Sequence, residues 1–401
     1  MTLAVAVIGQ GYVGLPLAVA SANAGSKVIG VEVNAARVDQ LNAGKSPVED
    51  ISDLSIADLV NAGKYSATTD FHAVSGSSIV AICVPTPLDS SSKPDLTALI
   101  SATTSVGKNL KAGTLVVIES TVEPGTTRNV VLPILLKESG LSESDIDLAF
   151  SPERIDPSNK KWTIANTPKI VAGLTPKALE RTVEFYSAFV SEVTKCSSLE
   201  IAETAKLLEN SFRLINISFI NEIAQMCDVM GLNVNEVIDA ASTKPYGFMP
   251  FYPSAGIGGH CIPIDPVYLA HAAKQAGAPA SMIDLAQKIN DDRPAYFVDK
   301  ATKLLGGLTG KKILVVGIAY KPNVADMRES AALPLIAGLR KAGAEVSWHD
   351  HLVGTWNGEV SAALSGDFDL VLVVNKHDGV ELSAVGATPV IYTGYVKGQG
   401  A

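Results

Sequence analysis

Over residues 3–33 an apolar run, a glycine turn, an alanine-rich stretch and a second apolar run follow one another, which predicts a strand, a helix and a second, parallel strand. Short apolar or β-branched runs recur at 78–84, 114–119 and 147–150, bounded by Gly, Pro, Ser or Asp and separated by polar or helical segments. That alternation predicts a parallel, doubly wound sheet. After about residue 197 the period changes. Leu208, Phe212, Ile215, Phe219, Ile223, Met226 and Met230 recur at steps of three and four, predicting one long helix stopped at Gly231. Two readings of its stripe stay open, packing against another subunit or burial in the core. From Lys311 the strand pattern returns at 313–317, 345–348, 370–374 and 390–392, with a helix over 331–342, so a second α/β domain is predicted.

The 401 residues exceed what one hydrophobic core organises, so two or three packed units are expected. With 47% hydrophobic and 18% charged residues, such cores can be built. A net charge of -9 argues against a nucleic-acid partner, which would call for clustered Lys and Arg. Without a basic leader, and with the first apolar run broken at Gly9, the chain shows neither a signal peptide nor a membrane span, and a cytoplasmic location is expected. Cys83, Cys196, Cys227 and Cys261 are scattered without C-x-x-C spacing, which disfavours a metal site and a disulfide scaffold.

Gly9-Gln10-Gly11-Tyr12-Val13-Gly14 lies between a predicted strand and a predicted helix. Glycine there permits a tight turn and close approach of a pyrophosphate, while the helix start supplies N–H groups and partial positive charge. Glu32 falls at the end of the second strand, where an acid binds the adenosine ribose hydroxyls. A 2′-phosphate 4 Å from that carboxylate would be repelled by roughly 4 kcal/mol at an effective dielectric of about 20, so NAD is expected over NADP. Arg37 lies near enough to soften the discrimination, or is an ordinary surface residue.

Gly256-Ile257-Gly258-Gly259-His260-Cys261-Ile262-Pro263-Ile264-Asp265-Pro266 marks the chemical site. A lone Cys is more often a core filler, but three glycines before it allow a substrate to approach and prolines after it stiffen the loop. His260 and Asp265 are placed to tune the thiolate and its protons, while the other three cysteines lie in strand or helix patterns and read as structural. Lys206 and Asn210 share a helix face beside Arg213, as catalytic groups or a solvated face would. Glu153, in Ser151-Pro152-Glu153-Arg154, and Thr121 follow strand ends, where ligands of open α/β sheets bind.

Together these segments, with Lys206-Leu207-Leu208-Glu209-Asn210, Ala319-Tyr320-Lys321-Pro322 and Asp326-Met327-Arg328-Glu329-Ser330, resemble the UDP-glucose/UDP-N-acetylhexosamine 6-dehydrogenase family over nearly the whole chain. The resemblance implies an NAD-binding Rossmann domain over 1–197, a central helical dimerisation domain over 198–297, a Rossmann-like UDP-binding domain over 298–401, and a homodimer or higher assembly. It implies that Cys261 traps a carbon-6 aldehyde and that Lys206 and Asn210 stabilise the oxyanion. By the same resemblance Asp265 with water would act in proton transfer, and Glu153 with Thr121 would position or activate the hydrolytic water. The cofactor-binding residues it implies are Gly9, Gly11, Tyr12, Val13, Gly14, Glu32, Arg37, Thr86, Thr121 and Arg328. Lys206, Asn210, Phe251, Tyr252, Gly258, His260 and Lys321 would bind the UDP-sugar, and no metal takes part. The glucose-specific branch carries an arginine before the cysteine loop, whereas here no Arg occurs between Arg213 and Arg293. The 243–253 stretch resembles the UDP-N-acetylglucosamine branch instead, with UDP-N-acetylmannosamine and UDP-glucose as alternatives. Tyr392-Thr393-Gly394 departs from the family's Asp-Thr-Arg ending. A one-step hydroxyacid dehydrogenase would share the NAD domain and a lysine but have no use for Cys261, and a non-enzymatic NAD sensor would bind cofactor without turnover.

Overall fold

The computed structural model describes residues 2–155, 159 and 161–394, and the chain divides into two compact units, Met1–Leu208 and Glu209–Ala401. In the first unit β1 (Ala4–Ile8), α1 (Gly14–Asn23) and β2 (Lys27–Val31) form the predicted opening βαβ, followed by α2 (Ala35–Asn42), α3 (Asp53–Asn61) and β3 (Tyr65–Thr68). Then come β4 (Ile79–Ile82), α4 (Thr97–Gly107), β5 (Leu115–Ile118), α5 (Leu132–Ser139), β6 (Asp147–Phe150), β7 (Lys169–Gly173), α6 (Pro176–Ser187) and β8 (Val193–Lys195). The strands form one sheet in the order β3-β2-β1-β4-β5-β6-β7-β8. Val5 and Val7 pack into one core and Ala6 and Ile8 into the other, so both faces are covered. That double burial is why the strands read as unbroken apolar runs.

The predicted all-parallel sheet holds from β3 to β6 and reverses at β7, which pairs antiparallel with β6 through Ala149↔Gly173 and Phe150↔Ala172. Among the described residues no helix lies between those strands. Without a crossover the chain returns in the opposite direction; α6 then carries it over to β8, parallel to β7.

Helix α7 (Leu199–Met230) starts nine residues before Leu208, the first member of the predicted stripe, and stops at Gly231 with φ +68°. The stripe is not its core face. Leu208, Phe212, Phe219, Met226 and Met230 are between 45% and 66% exposed, whereas Leu207, Leu214, Ile220, Ala224 and Cys227 are buried. The buried-core reading of that stripe is therefore wrong for this chain, because a second row of the same helix fills the core.

The second unit continues with α8 (Val234–Ser242), α9 (Asp265–Gln275), α10 (Ser281–Leu305), β9 (Lys312–Val316), α11 (Ala332–Lys341), β10 (Glu345–His349), β11 (Thr355–Trp356), β12 (Glu359–Val360), β13 (Leu370–Val373) and β14 (Val390–Tyr392). Its parallel sheet runs β10-β9-β13-β14 between two apolar layers. No helix among the described residues is long and apolar enough to cross a membrane.

Candidate active site

In the first unit the glycine turn is built as its spacing requires. Gly9 has φ +89°, and a Cβ there would lie 2.6 Å from the Cys83 carbonyl oxygen; one on Gly14 would lie 1.9 Å from the Gly9 oxygen. A Cβ on Gly11 would meet nothing within 4 Å. Gly9 and Gly14 serve the protein's own packing, and Gly11 faces open space. Helix α1 begins at Gly14 with Val13 at its N-cap, where no side chain caps it. Glu32, 7% exposed, accepts hydrogen bonds from Gln10 N at 3.1 Å, Asn34 N at 3.0 Å and Arg37 Nη1 at 3.2 Å. Arg37 is thus the ion-pair partner of the acid rather than an independent surface group. Gln10 escaped sequence reading because its residue type suggested nothing. It is fully buried, donates to Val7 O at 2.8 Å and accepts from Tyr65 Oη at 2.8 Å, bracing the turn from below.

The loops after β4 and β5 are stitched together where Thr86 Oγ1 donates to Thr121 O at 2.8 Å and Ser120 Oγ to Val84 O at 2.7 Å. From α7, buried Glu203 accepts from Gly125 N and Thr127 N at 2.5 and 2.9 Å, anchoring the rest of the Thr121 loop. Glu153 follows β6, with Ile155 N donating to its carboxylate. Behind it is a buried set that sequence reading missed. Lys169 Nζ is 2.7 Å from Glu119 Oε2 and 3.3 Å from Pro152 O, and Tyr186 Oη donates to Glu119. Burial and the nearby Glu153 charge push Glu119 up, while Lys169 pulls it down. Cys83 is buried in the core, and that burial pushes its thiol well up. Lys206 is buried on α7, one turn before Asn210.

In the second unit Asn210 Nδ2 donates to Asp265 Oδ2 at 2.6 Å, and both side chains are buried. Asp265 opens α9, and its N–H donates to Cys261 O at 2.8 Å, which sets the half-buried cysteine one turn before the helix start. The positive end of a helix favours a thiolate. The three glycines before it are approached by the protein itself. A Cβ on Gly256 would lie 3.0 Å from Ala331 Cβ, one on Gly258 2.6 Å from Glu329 O, and one on Gly259 2.8 Å from the Tyr320 ring. Gly259 N also donates to Arg328 O at 3.1 Å. The motifs around Cys261, Lys321 and Arg328 therefore meet in one place. Asp326 grips the Arg328 side chain at 2.5–3.0 Å. Burial works against that carboxylate, but the Arg328 bonds hold its pKa below the usual range. Phe251 packs edge-on against Phe212 with centroids 5.7 Å apart, and Tyr252 and His260 lie partly exposed along the same irregular segment.

Three models of the UDP-glucose/GDP-mannose dehydrogenase family match in order: the NAD binding domain over residues 3–190, the central domain over 200–292 and the UDP binding domain over 314–388. The chain belongs to the UDP-glucose/GDP-mannose dehydrogenase family. Its UDP-N-acetyl-D-glucosamine 6-dehydrogenase relative from Pseudomonas aeruginosa is 36% identical over 87% of this chain and 82% of the relative. A UDP-N-acetyl-D-mannosamine dehydrogenase from Campylobacter jejuni is 36% identical over 85% and 84%. Among solved structures, a UDP-D-ManNAc dehydrogenase from Pyrococcus horikoshii matches with TM-score 0.89 and 30% identity, covering 98% of this chain and 95% of that one. A UDP-glucose dehydrogenase from Pyrobaculum islandicum gives 0.90 and 25%, covering 99% and 95%.

This member of the family is an NAD-dependent nucleotide-sugar dehydrogenase with an NAD-binding first domain and a UDP-binding last domain. The residues present fit NAD: open space above Gly11, a helix start with no side-chain cap, and a strand-end carboxylate. The C-terminal glycine turn does not offer the same fit, since Ile318 N and Ala319 N both donate to Asp350, at 2.9 and 3.1 Å.

Proposed function

We propose that this dehydrogenase oxidises carbon 6 of UDP-N-acetylglucosamine from alcohol to carboxylate in two steps, through a thiohemiacetal and a thioester on Cys261. One arrangement carries the reading: a half-buried cysteine one turn ahead of α9, with the Asn210–Asp265 pair bonded beside it. A one-step alcohol oxidation needs no such thiol. Gly9, Gly11, Tyr12, Val13, Gly14, Glu32, Arg37, Thr86, Thr121 and Arg328 would hold NAD, which supplies the hydride acceptor for each oxidation. Lys206 and the second N–H of Asn210 stabilise the oxyanion at carbon 6. The Cys261 thiolate adds to the aldehyde carbon, and the alkoxide takes up a proton through Asp265 and water. After the second oxidation Glu153, together with Thr121, would orient the water that cleaves the thioester and frees the thiol. Phe251, Tyr252, Gly258, His260 and Lys321 line the UDP-sugar.

The choice of sugar rests on the 243–253 segment, the absence of Arg between Arg213 and Arg293, and relatives at 36% identity that act on N-acetylated UDP-sugars. The exposed row on α7 supports a homodimer or larger assembly of the kind expected for 198–297, since such patches mark interfaces. Light scattering that finds only active monomer would remove that part. NADH produced per sugar consumed tests the reaction: two with UDP-N-acetylglucosamine, more slowly with UDP-glucose, and no sustained uronate from Cys261→Ala. Two NADH per sugar from Cys261→Ala would refute the covalent route.

A further inference from the structure

Residues 243–264, which lead to Cys261 and Asp265, contain no helix or strand. So long an irregular stretch must place its backbone N–H and C=O groups on something other than a ladder. At Ser254 and Ile257 they fall on buried side chains. Ser254 N donates to Asn221 Oδ1 at 2.8 Å, and Ser254 O accepts from Arg293 Nε at 3.0 Å. Ile257 N donates to Asn290 Oδ1 at 2.6 Å, and Ile257 O faces Asn290 Nδ2 at 3.5 Å. Asn221, Asn290 and Arg293 are 0%, 6% and 1% exposed. Gly256, at φ +140°, takes a conformation that L residues rarely adopt, and a Cβ there would lie 3.0 Å from Ala331 Cβ. Arg293 and Asn221 fix the loop seven residues before the cysteine, and Asn290 fixes it four residues before. On the other side Gly258 and Gly259 lie against Tyr320 and the Arg328–Glu329 backbone.

We infer that Asn290, held in α10, is a positioning residue for the Cys261 nucleophile, acting through the Ile257 amide. This rests on the reading of Cys261 as the thiol that traps the aldehyde. The short bond uses Asn290 Oδ1 as its acceptor, which Asp keeps while losing the longer Nδ2 contact to Ile257 O; Leu, of similar size, keeps neither. A misplacement of about 1 Å is enough to cost on the order of a hundredfold in rate. The first oxidation does not need the thiol, so it continues when the loop slackens.

Asn290→Leu, Asn290→Ser and Asn290→Asp are compared with the unaltered protein by melting temperature, NADH per sugar, aldehyde trapped by a hydrazine, and hydrogen exchange over 255–262 without cofactor. In the Leu and Ser variants, NADH per sugar falls from two toward one, aldehyde is trapped, KM for NAD stays within about twofold, and the loop exchanges at least about tenfold faster. Asp, which keeps the acceptor and loses the longer contact, lies between Leu and the unaltered protein in all four. If Leu does not fold, Ser decides. Two NADH per sugar with unchanged exchange in a folded Leu or Ser variant overturns the inference, as does a defect in Asp equal to that in Leu. Cys261→Ala run alongside separates the failures. If it keeps two NADH per sugar, the covalent reading itself falls, while the exchange arm still tests the clamp.

Discussion

The two Rossmann-like sheets open alike and then diverge. Each has a left-handed glycine after its first strand, Gly9 at φ +89° and Gly317 at φ +79°, and an acid after its second, Glu32 and Asp350. In each the residue after the glycine donates its N–H to that acid, Gln10 at 3.1 Å and Ile318 at 2.9 Å. The next amide decides the difference. Gly11 looks onto open space, and α1 starts three residues later. Ala319 also donates to Asp350, whose carboxylate further accepts from Leu352 N, Val353 N and His377 Nε2 and is fully buried. Helix α11 waits until Ala332, and the loop between carries Tyr320, Lys321 and Arg328. One turn leaves open space over Gly11 just before its helix, whereas the other closes a second amide on its own carboxylate and is followed by a longer loop.

The contrast predicts opposite outcomes for Gly→Ala at the closed first glycine of the second turn and at the open second glycine of the first. Gly317→Ala would put a Cβ 1.7 Å from Asn375 O at a φ that L residues avoid, costing about 4 kcal/mol or more and leaving little folded second unit. Gly11→Ala meets no protein atom within 4 Å. It is expected to melt at the unaltered temperature while KM for NAD rises about tenfold or more, because the added methyl occupies the pyrophosphate approach. If Gly11→Ala loses stability and keeps its NAD affinity, the comparison is wrong.

Next in size is Asp350. Burial pulls its pKa up, but the His377 bond, followed by Val353 N and other donors, holds it at about 2. Asn323 N donates to His377 Nδ1 at 2.7 Å, so the imidazole carries its proton on Nε2 and turns it toward Asp350. Asp350→Asn would aim an NH2 at donors and cost about 3 kcal/mol. Since the folded pKa is depressed, Asp350 contributes fully above about pH 4, and the contribution fades as pH falls toward 2. The melting gap between Asp350→Asn and the unaltered protein therefore narrows from pH 5 to pH 2.5. A constant gap would assign the loss to packing alone.

Much of this was legible in the chain. Periodicity located β1, β2, β4 to β6, β9, β10, β13, β14, α7 and α11, because sheets covered on both faces leave unbroken apolar runs. The reversal at β7 left no signal, since strand direction depends on whether a helix intervenes. The stripe on α7 announced a helix but not which face was inside, because an exposed apolar row and a core row have the same period. Motifs marked Cys261, Lys206 and Glu153. Gln10, Lys169 and Asn290 were invisible, as their importance comes from partners 22, 50 and 33 residues away.

The smallest effect concerns cofactor choice at Glu32. A bare carboxylate would repel a 2′-phosphate by roughly 4 kcal/mol at an effective dielectric of about 20. Here the carboxylate also faces Arg37 at 3.2 Å, and Arg37 is 38% exposed, so much of the repulsion is already offset and screened. We therefore expect Glu32→Ala to narrow the kcat/KM preference for NAD over NADP by about tenfold, roughly 1.4 kcal/mol. Arg37, released from its partner, would then meet the phosphate. Arg37→Ala removes the offset while the Gln10 and Asn34 amides still hold the acid in place, so the preference for NAD widens by a few-fold. The two substitutions thus move discrimination in opposite directions, which a merely structural Glu32–Arg37 pair would not do: breaking that pair from either side would lower stability and leave the cofactor ratio unchanged.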